Sequence, residues 1–325
     1  MPKPKVFVTR AIPEGGLELI RKNCDAIVWP GELPPTHAEL MKQVLGVQGL
    51  LCLLTDKVDK EIIEAEPKLR IISNMAVGVD NIDTTTATRL GIPVGNTPGV
   101  LTDATADFTI TLMMAAGRRV VEVTQFVRHG HWKTWGPQLL LGADFSGATL
   151  GIIGFGRIGQ AVAKRAQGFG ISVIYHDPSV NPDNGAVQVK YEDVFRRSDF
   201  ISLHVPLTDT TRQMINPRTL EICKPNAVLI NTSRGGVVDH TALAQALESR
   251  QIFAAALDVT DPEPLPVDHP LMKFDNCIVT PHIASASRNT RGKMAEMAAK
   301  NLLAGLAGER IPNCVNPEVY EQKFV

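Results

Sequence analysis

The sequence has no excess of charge of either sign, since 33 Lys and Arg residues stand against 34 Asp and Glu residues. No long block of one sign occurs along its 325 residues. Proteins that bind nucleic acid carry a basic patch or stripe, so this charge pattern argues against a nucleic-acid partner. With 44% apolar and 21% charged residues, the composition is typical of an ordinary globular protein.

Long apolar runs are also missing. A stretch such as residues 50–54 is far shorter than the roughly 18 residues that a membrane-spanning helix needs. The apolar stretch that follows residues 1–5 is too short for a secretory signal. We therefore expect no membrane partner. No GxSxG motif is present, which argues against a serine hydrolase.

Cysteine is scarce and unpatterned. The five cysteines are an odd number and have no CxxC spacing. We expect free thiols in a reducing compartment, and therefore a cytoplasmic protein. His129 and His131 lie two residues apart with no Cys cluster near them, so we expect no metal site.

The sequence does contain a regular alternation of strand-like and helix-like segments, over its first hundred residues and again from Ala148 onward. Such alternation is typical of parallel sheets with helices on both faces. A stretch rich in Pro and Gly at residues 91–99 marks a crossing between domains. A helical region from about Asp103 to Arg128 is apolar enough to predict burial of both its faces. We predict two α/β units joined by two crossings.

A glycine motif opens the second half. Gly154, Gly156 and Gly159 form a GxGxxG that follows a strand-like run and begins a helical one, the context that dinucleotide binding requires. A pyrophosphate would lie on the free N–H groups at the helix start, around Arg157 and Ile158. The alternative is a glycine turn with a structural role only.

An acidic residue follows this motif at about the spacing that dinucleotide-binding folds show. Asp177 lies 18 residues after Gly159, at the end of the next strand-like run. A carboxylate there can accept hydrogen bonds from both ribose hydroxyls and would repel a 2′-phosphate. No Arg or Lys occurs between Asp177 and Val189. The pattern favours NAD over NADP, although Asp177 could also be a simple turn aspartate.

Three polar residues follow later strand-like runs: Arg234, Glu263 and His282. Because ligands of an open parallel sheet bind beyond the carboxyl ends of its strands, all three should face one crevice. An arginine, a glutamate and a histidine beside a nicotinamide suit reduction of a 2-oxo acid. Each residue alone could equally be an ordinary surface or core residue.

Together these residues carry a family resemblance over nearly the whole chain. The sequence resembles the D-isomer-specific 2-hydroxyacid dehydrogenase family in five motifs: Val77 to Asp83, the glycine loop, Thr232 to Gly235, Asp261 to Pro264, and Thr280 to His282. Trp132 to Trp135, residues 257–266 and His269 to Leu271 look most like the glyoxylate/hydroxypyruvate reductases of that family. Many of those reductases favour NADPH and carry basic or hydroxyl residues after the second strand. This chain has Asp177 there, which differs from that pattern.

The resemblance implies a fold of two doubly wound parallel-sheet domains. Residues 1–98 and 288–325 would form a flavodoxin-like substrate domain, and residues 99–287 a Rossmann domain that binds NAD. Closure of the gap between the domains would exclude water during turnover.

The resemblance also implies roles for individual residues. Arg234 would hold the substrate carboxylate through a bidentate fork, and His282 would donate a proton to the carbonyl oxygen. Glu263 would orient the imidazole and favour its charged form. Further substrate contacts would come from Val77, Gly78, Val79 and Trp135, and further cofactor contacts from Thr232, Ser233 and Asp258. Since Trp135 would reach the substrate site of a partner subunit, we expect a homodimer.

We therefore expect NADH-dependent reduction of glyoxylate and hydroxypyruvate to glycolate and D-glycerate. Two alternatives stay open. One is another D-2-hydroxyacid dehydrogenase, of the phosphoglycerate or phosphite type. The other is an NAD-sensing scaffold that acts through protein partners.

Overall fold

The computed structural model describes residues 2–180 and 185–321. Its strands are β1 (Lys5–Val8), β2 (Asp25–Val28), β3 (Gly49–Cys52), β4 (Ile71–Asn74), β5 (Val94–Gly95), β6 (Thr149–Ile153), β7 (Ser172–His176), β8 (Val187–Gln188), β9 (Phe200–Leu203), β10 (Val228–Asn231), β11 (Ala254–Leu257) and β12 (Cys277–Val279). Its α-helices are α1 (Glu14–Asn23), α2 (His37–Val44), α3 (Lys60–Glu64), α4 (Thr84–Arg89), α5 (Thr102–Gly117), α6 (Val120–Arg128), α7 (Arg157–Gln167), α8 (Tyr191–Arg197), α9 (Pro217–Glu221), α10 (His240–Glu248) and α11 (Arg288–Ala307).

The chain divides into two compact units. Unit 1 comprises Met1–Leu101 together with Ala286–Val325, and unit 2 comprises Thr102–Ser285. The domain boundaries placed from the sequence, after residues 98 and 287, differ from these by a few residues. That one domain binds the substrate and the other the cofactor stays a prediction.

Unit 1 contains a five-stranded sheet of order β2-β1-β3-β4-β5, in which all pairs are parallel. This is the flavodoxin-like strand order. The central strands β3 and β4 are buried at every position, as expected where helices cover both faces. On one face, helices α1 and α11 touch closely at Gly16, where a Cβ would lie 2.6 Å from the backbone of Ala295.

Unit 2 contains a seven-stranded sheet of order β12-β11-β10-β9-β6-β7-β8, again entirely parallel. The six strands that come first along the chain, β6 to β11, have the strand order of a Rossmann domain. Successive side chains alternate between two cores. Val228 and Ile230 pack on the side of α5 and α7, while Leu229 packs on the side of α8, α9 and α10. The prediction of two doubly wound α/β domains is confirmed.

The prediction of one continuous helix from Asp103 to Arg128 is wrong. The segment breaks between α5 and α6, where Arg119 adopts the left-handed conformation with φ 55. Arg119 is fixed there by a bidentate ion pair with Glu122, at 2.6 and 2.8 Å. The expected burial of both faces is also wrong for α6, which has no buried residue.

All five cysteine thiols are free, and burial raises the pKa of Cys223 and of Cys277 to about 12. Across the described ranges, no helix combines the length and the apolar character needed to cross a membrane. Nor do these ranges contain a group of three or more His, Cys, Asp or Glu residues that could hold a metal ion.

Candidate active site

The glycine loop follows β6, and each glycine meets a different requirement. Gly154 has φ 88, and a Cβ there would lie 2.7 Å from the backbone carbonyl of His204 at the end of β9. Gly159 packs its backbone against the carbonyl group of Gly154. At Gly156, by contrast, a Cβ would meet nothing within 4 Å. The loop is therefore open at its second glycine, where an approaching pyrophosphate would need the space.

Helix α7 begins at this opening. Its N-cap is Gly156, no side chain caps its first turn among the residues described, and that turn contains no acidic residue. The N–H groups around Arg157 and Ile158 and the positive end of the helix are thus available to an anion. Together with the open second glycine, this arrangement fits a dinucleotide phosphate.

Asp177, directly after β7, links the glycine loop to the following turn. Its Oδ2 atom accepts a hydrogen bond from the Phe155 N–H at 2.7 Å. Its Oδ1 atom accepts from Ser179 and Val180 at 2.8 and 3.1 Å. The carboxylate therefore shapes a turn and also lies against the glycine loop, so its role in ribose binding stays a prediction. Residues 181–184 of the loop lie outside the described residues.

His282 and Glu263 follow the neighbouring strands β12 and β11, and their side chains meet. The distance from His282 Nδ1 to Glu263 Oε1 is 2.6 Å, and the two side chains are 22% and 34% exposed. Such a short contact is typical of a charge-assisted hydrogen bond. Because Nδ1 is engaged, the imidazole has Nε2 left for a ligand.

The backbone of His282 is unusual. Its φ of 54 lies in the left-handed region, which costs a non-glycine residue roughly 1–2 kcal/mol. The conformation is held in part by its own N–H, which donates to the carbonyls of Asp258 at 2.9 Å and Thr280 at 3.0 Å. Strain of this kind persists only where surrounding contacts determine the backbone.

Asp258 supplies several of those contacts. It is 1% exposed, and its Oδ1 atom accepts from the Ile283 N–H at 2.8 Å and the Thr280 hydroxyl at 2.6 Å. Its Oδ2 atom accepts from the Ala284 N–H at 2.7 Å. The resemblance assigns Asp258 to the nicotinamide carboxamide, but in this structure its carboxylate is bonded to the loop that carries His282.

Arg234 follows β10, in a loop held by Asn231. The Asn231 side chain accepts from the Ser233 N–H and hydroxyl, at 3.0 and 2.8 Å, and donates to the Arg234 carbonyl at 2.9 Å. Thr232 shares a 2.8 Å hydrogen bond with Thr109 of α5. Asn231 was not among the residues predicted from the sequence. The signal that could have found it is an amide at the end of an apolar strand-like run, directly before the predicted site residues. In the structure this amide is fully buried.

Gly235 connects the loop of Arg234 to the loop of Glu263. A Cβ at Gly235 would overlap the carbonyl group of Thr260 and lie 2.6 Å from the Asp261 nitrogen. Only glycine permits this approach. Arg234, Glu263 and His282 thus follow three adjacent strands of one sheet, at the same edge as the glycine loop.

In unit 1, the loop of Val77, Gly78 and Val79 turns its carbonyls toward the unit's own interior. Four successive carbonyls accept hydrogen bonds: Ala76 from the Thr97 N–H at 2.8 Å, Val77 from Asn96 Nδ2 at 2.8 Å, Gly78 from Asn74 Nδ2 at 2.9 Å, and Val79 from the Ile82 N–H at 2.9 Å. Within the described part of the chain, the N–H groups of Val77, Gly78 and Val79 donate to nothing. They are available to an anion.

Trp135 is 78% exposed and belongs to an apolar surface on residues 120–141 of unit 2, which we call the arm. Seven large apolar residues of the arm are exposed: Val120, Val121, Val127, Trp132, Trp135, Leu139 and Leu141. Arg119 joins the two ends of the arm, because it pairs with Glu122 and donates to the Leu141 carbonyl at 3.3 Å. Large apolar side chains exposed this densely in one segment are typical of interaction sites.

Comparison with known proteins relates this geometry to a family. A model described as the D-isomer specific 2-hydroxyacid dehydrogenase, NAD binding domain, matches residues 110–284. A Korarchaeum cryptofilum protein named glyoxylate reductase is 51% identical over 322 residues, covering 98% of this chain and 97% of that protein.

Solved structures are similar over the same length. The TT0316 protein of Thermus thermophilus superposes with a TM-score of 0.91 at 46% identity, covering 96% of this chain and 99% of its own. An NADPH-dependent glyoxylate/hydroxypyruvate reductase of Sinorhizobium meliloti, in complex with NADP and malonate, gives a TM-score of 0.86 at 30% identity, with coverage of 97% and 98%.

Replacing Gly235 by alanine tests the close approach of the two loops. Gly235→Ala should lower stability by about 1–3 kcal/mol, the usual cost of overpacking, and should lower turnover because the loop of Glu263 is displaced. Gly292→Ala is the matched control, since a Cβ there meets nothing within 4 Å. Denaturant unfolding and steady-state turnover measure the two effects. Equal behaviour of both variants would contradict the packing argument.

Proposed function

Because the chain belongs to the D-isomer-specific 2-hydroxyacid dehydrogenase family, we propose that it reduces glyoxylate to glycolate with NADH. Membership confirms the resemblance seen in the motifs, and a nicotinamide dinucleotide is the cofactor that goes with the family's NAD-binding domain. The observation that carries the proposal is the 2.6 Å contact between His282 and Glu263, at the same sheet edge as the glycine loop.

His282 acts as the proton donor in this proposal. Glu263 accepts a hydrogen bond from Nδ1, so a proton on Nε2 is the one available to the carbonyl oxygen of the substrate. In the oxidative direction, Nε2 takes the proton back. When bound, NADH supplies the hydride. It would be held by the glycine loop, the start of α7 and Asp177, with Thr232, Ser233 and Asp258 as further contacts.

The substrate carboxylate is the natural partner of the remaining groups. Arg234 has a planar fork that matches a carboxylate. Val77, Gly78 and Val79 offer three N–H groups, whose peptide planes are held by hydrogen bonds from Thr97, Asn96 and Asn74. Such donors recognise a carboxylate, the group that every 2-oxo acid carries. Hydroxypyruvate is a second candidate, because the Sinorhizobium relative is a glyoxylate/hydroxypyruvate reductase.

Turnover with a panel of 2-oxo acids tests the proposal. Glyoxylate and NADH should give loss of absorbance at 340 nm, and His282→Asn should lower kcat roughly 10²–10⁴-fold, the usual contribution of positioned proton transfer. Asparagine suits this test because it tolerates the left-handed backbone of His282. If no 2-oxo acid is turned over with either reduced cofactor, the proposal fails.

Preference for NADH over NADPH is assigned to the charge of Asp177. Asp177→Asn keeps the shape of the side chain and one of its two acceptor oxygens, but removes the negative charge that would repel a 2′-phosphate. We expect the ratio of kcat/KM for NADPH to that for NADH to rise at least ~10-fold, since opposed like charges cost several kcal/mol. An unchanged ratio would place cofactor choice in other residues.

A homodimer is the proposed working unit, with the arm as its interface and Trp135 reaching the substrate site of the partner. Sedimentation should give twice the chain mass of 35.3 kDa. Val127→Asp should shift the mass to that of the monomer, whereas Val187→Asp, at a comparably exposed position outside the arm, should not. A monomeric wild type at micromolar concentration would reject the dimer.

We place this activity in the cytoplasm. Support comes from the five free thiols, which are typical of a reducing compartment.

A further inference from the structure

We propose that Asp258 is a positioning residue that fixes the backbone on both sides of His282, so that the imidazole meets Glu263. The inference rests on the proposed function, in which His282 is the proton donor. It adds to the carboxamide contact a second role, which is present before any cofactor binds.

One residue makes four bonds to the segment that carries the histidine. The Asp258 carboxylate accepts from the Thr280 hydroxyl and from the N–H groups of Ile283 and Ala284. The Asp258 carbonyl accepts from the His282 N–H at 2.9 Å. These bonds lie before, at and after His282, so they determine the course of residues 280–284 through the left-handed position.

We call these four bonds from Asp258 to residues 280–284 the clamp. Its anchor is the end of a buried strand. Asp258 directly follows β11, whose last residue, Leu257, pairs with Val279 of β12. Both strands belong to the same parallel sheet, and the Asp258 side chain is buried. The hydrogen bonds of the carboxylate therefore hold the His282 backbone in a fixed position relative to the edge of the sheet.

The chemistry of the clamp requires a carboxylate and not an amide. Two donors converge on Oδ1 and one on Oδ2, which uses three of the roughly four acceptor positions of a carboxylate. In Asp258→Asn, either orientation of the amide turns its NH₂ group toward at least one of these donors. The side chain keeps its shape but loses part of the clamp.

The chain offers a matched control at the opposite end of the same sheet. Asp199 lies directly before β9, and its carboxylate also accepts from three groups: the Thr149 N–H at 2.9 Å, Lys224 Nζ at 2.9 Å and Asn226 Nδ2 at 3.0 Å. Burial opposes ionisation of Asp199, but these hydrogen bonds outweigh it and lower the pKa of the carboxyl. Asp199→Asn therefore removes comparable bonds far from His282.

Proton NMR of the protein without substrate or cofactor tests the clamp directly. The Nδ1 proton between His282 and Glu263 should give a downfield resonance, assigned by its loss in His282→Asn. We expect Asp258→Asn to shift or remove this resonance and Asp199→Asn to keep it. Because no cofactor is present, loss of a carboxamide contact cannot produce this result.

Thr280 provides a second test in case Asp258→Asn does not fold. Thr280→Val removes one donor of the clamp, while Thr280→Ser keeps the hydroxyl. At saturating substrate and NADH, we expect kcat to fall roughly 10- to 100-fold in Asp258→Asn, the scale of a displaced catalytic group. The fall in Thr280→Val should be smaller, and the serine variant should match the wild type. The affinity of both Thr280 variants for NADH should stay within about twofold of the wild type.

An unchanged resonance and unchanged kcat in both Asp258→Asn and Thr280→Val would overturn the inference. So would equal losses in Thr280→Val and Thr280→Ser. If the wild type turns over no 2-oxo acid while the resonance responds as expected, the proposed function fails and the clamp stands.

Discussion

The hydrogen bond between His282 Nδ1 and Glu263 Oε1 is the interaction on which the account of this chain depends. At 2.6 Å it engages Nδ1 of the imidazole and leaves Nε2 for a ligand. The two residues are not neighbours in the sequence, since 18 residues lie between them. They meet because β11 and β12 are adjacent parallel strands, which end at the same edge of the sheet.

The meeting of several loops at one sheet edge also limits which residues fit at Gly154 and Gly235. Parallel strands bring residues from distant parts of the sequence to one edge, but their loops must then pass very close to each other. Gly154 and Gly235 occupy the positions where the backbone of one loop touches that of another. Asn231 and Asp258 are buried polar residues whose bonds go to the loops beside them. The edge is shaped as much by these supporting residues as by Arg234, Glu263 and His282.

The fold class and the members of the candidate site could be predicted because each has a local signal. The glycine spacing, Asp177, and the motifs around Glu263 and His282 are visible in short stretches. The break at Arg119 could not be predicted, because an arginine in the left-handed conformation is stabilised by its pair with Glu122 and not by propensity. The bonds of Asp258 to residues 280–284 were also hidden, since they depend on strand neighbours that the sequence does not show. The functional roles of all the predicted site residues stay predictions, those of Arg234, Glu263 and His282 as much as those of Val77, Gly78, Val79 and Trp135.

The most direct test of the account is a crystal structure of this protein with NAD⁺ and oxamate, an unreactive analogue of glyoxylate. We expect His282 Nε2 within roughly 2.6–3.2 Å of the oxamate oxygen that corresponds to the reacting carbonyl, the reach of a proton donor. We expect Arg234 on the oxamate carboxylate and Glu263 still bonded to Nδ1. An oxamate bound elsewhere, or a His282 turned away from that oxygen, would contradict the assignment of His282 as the proton donor.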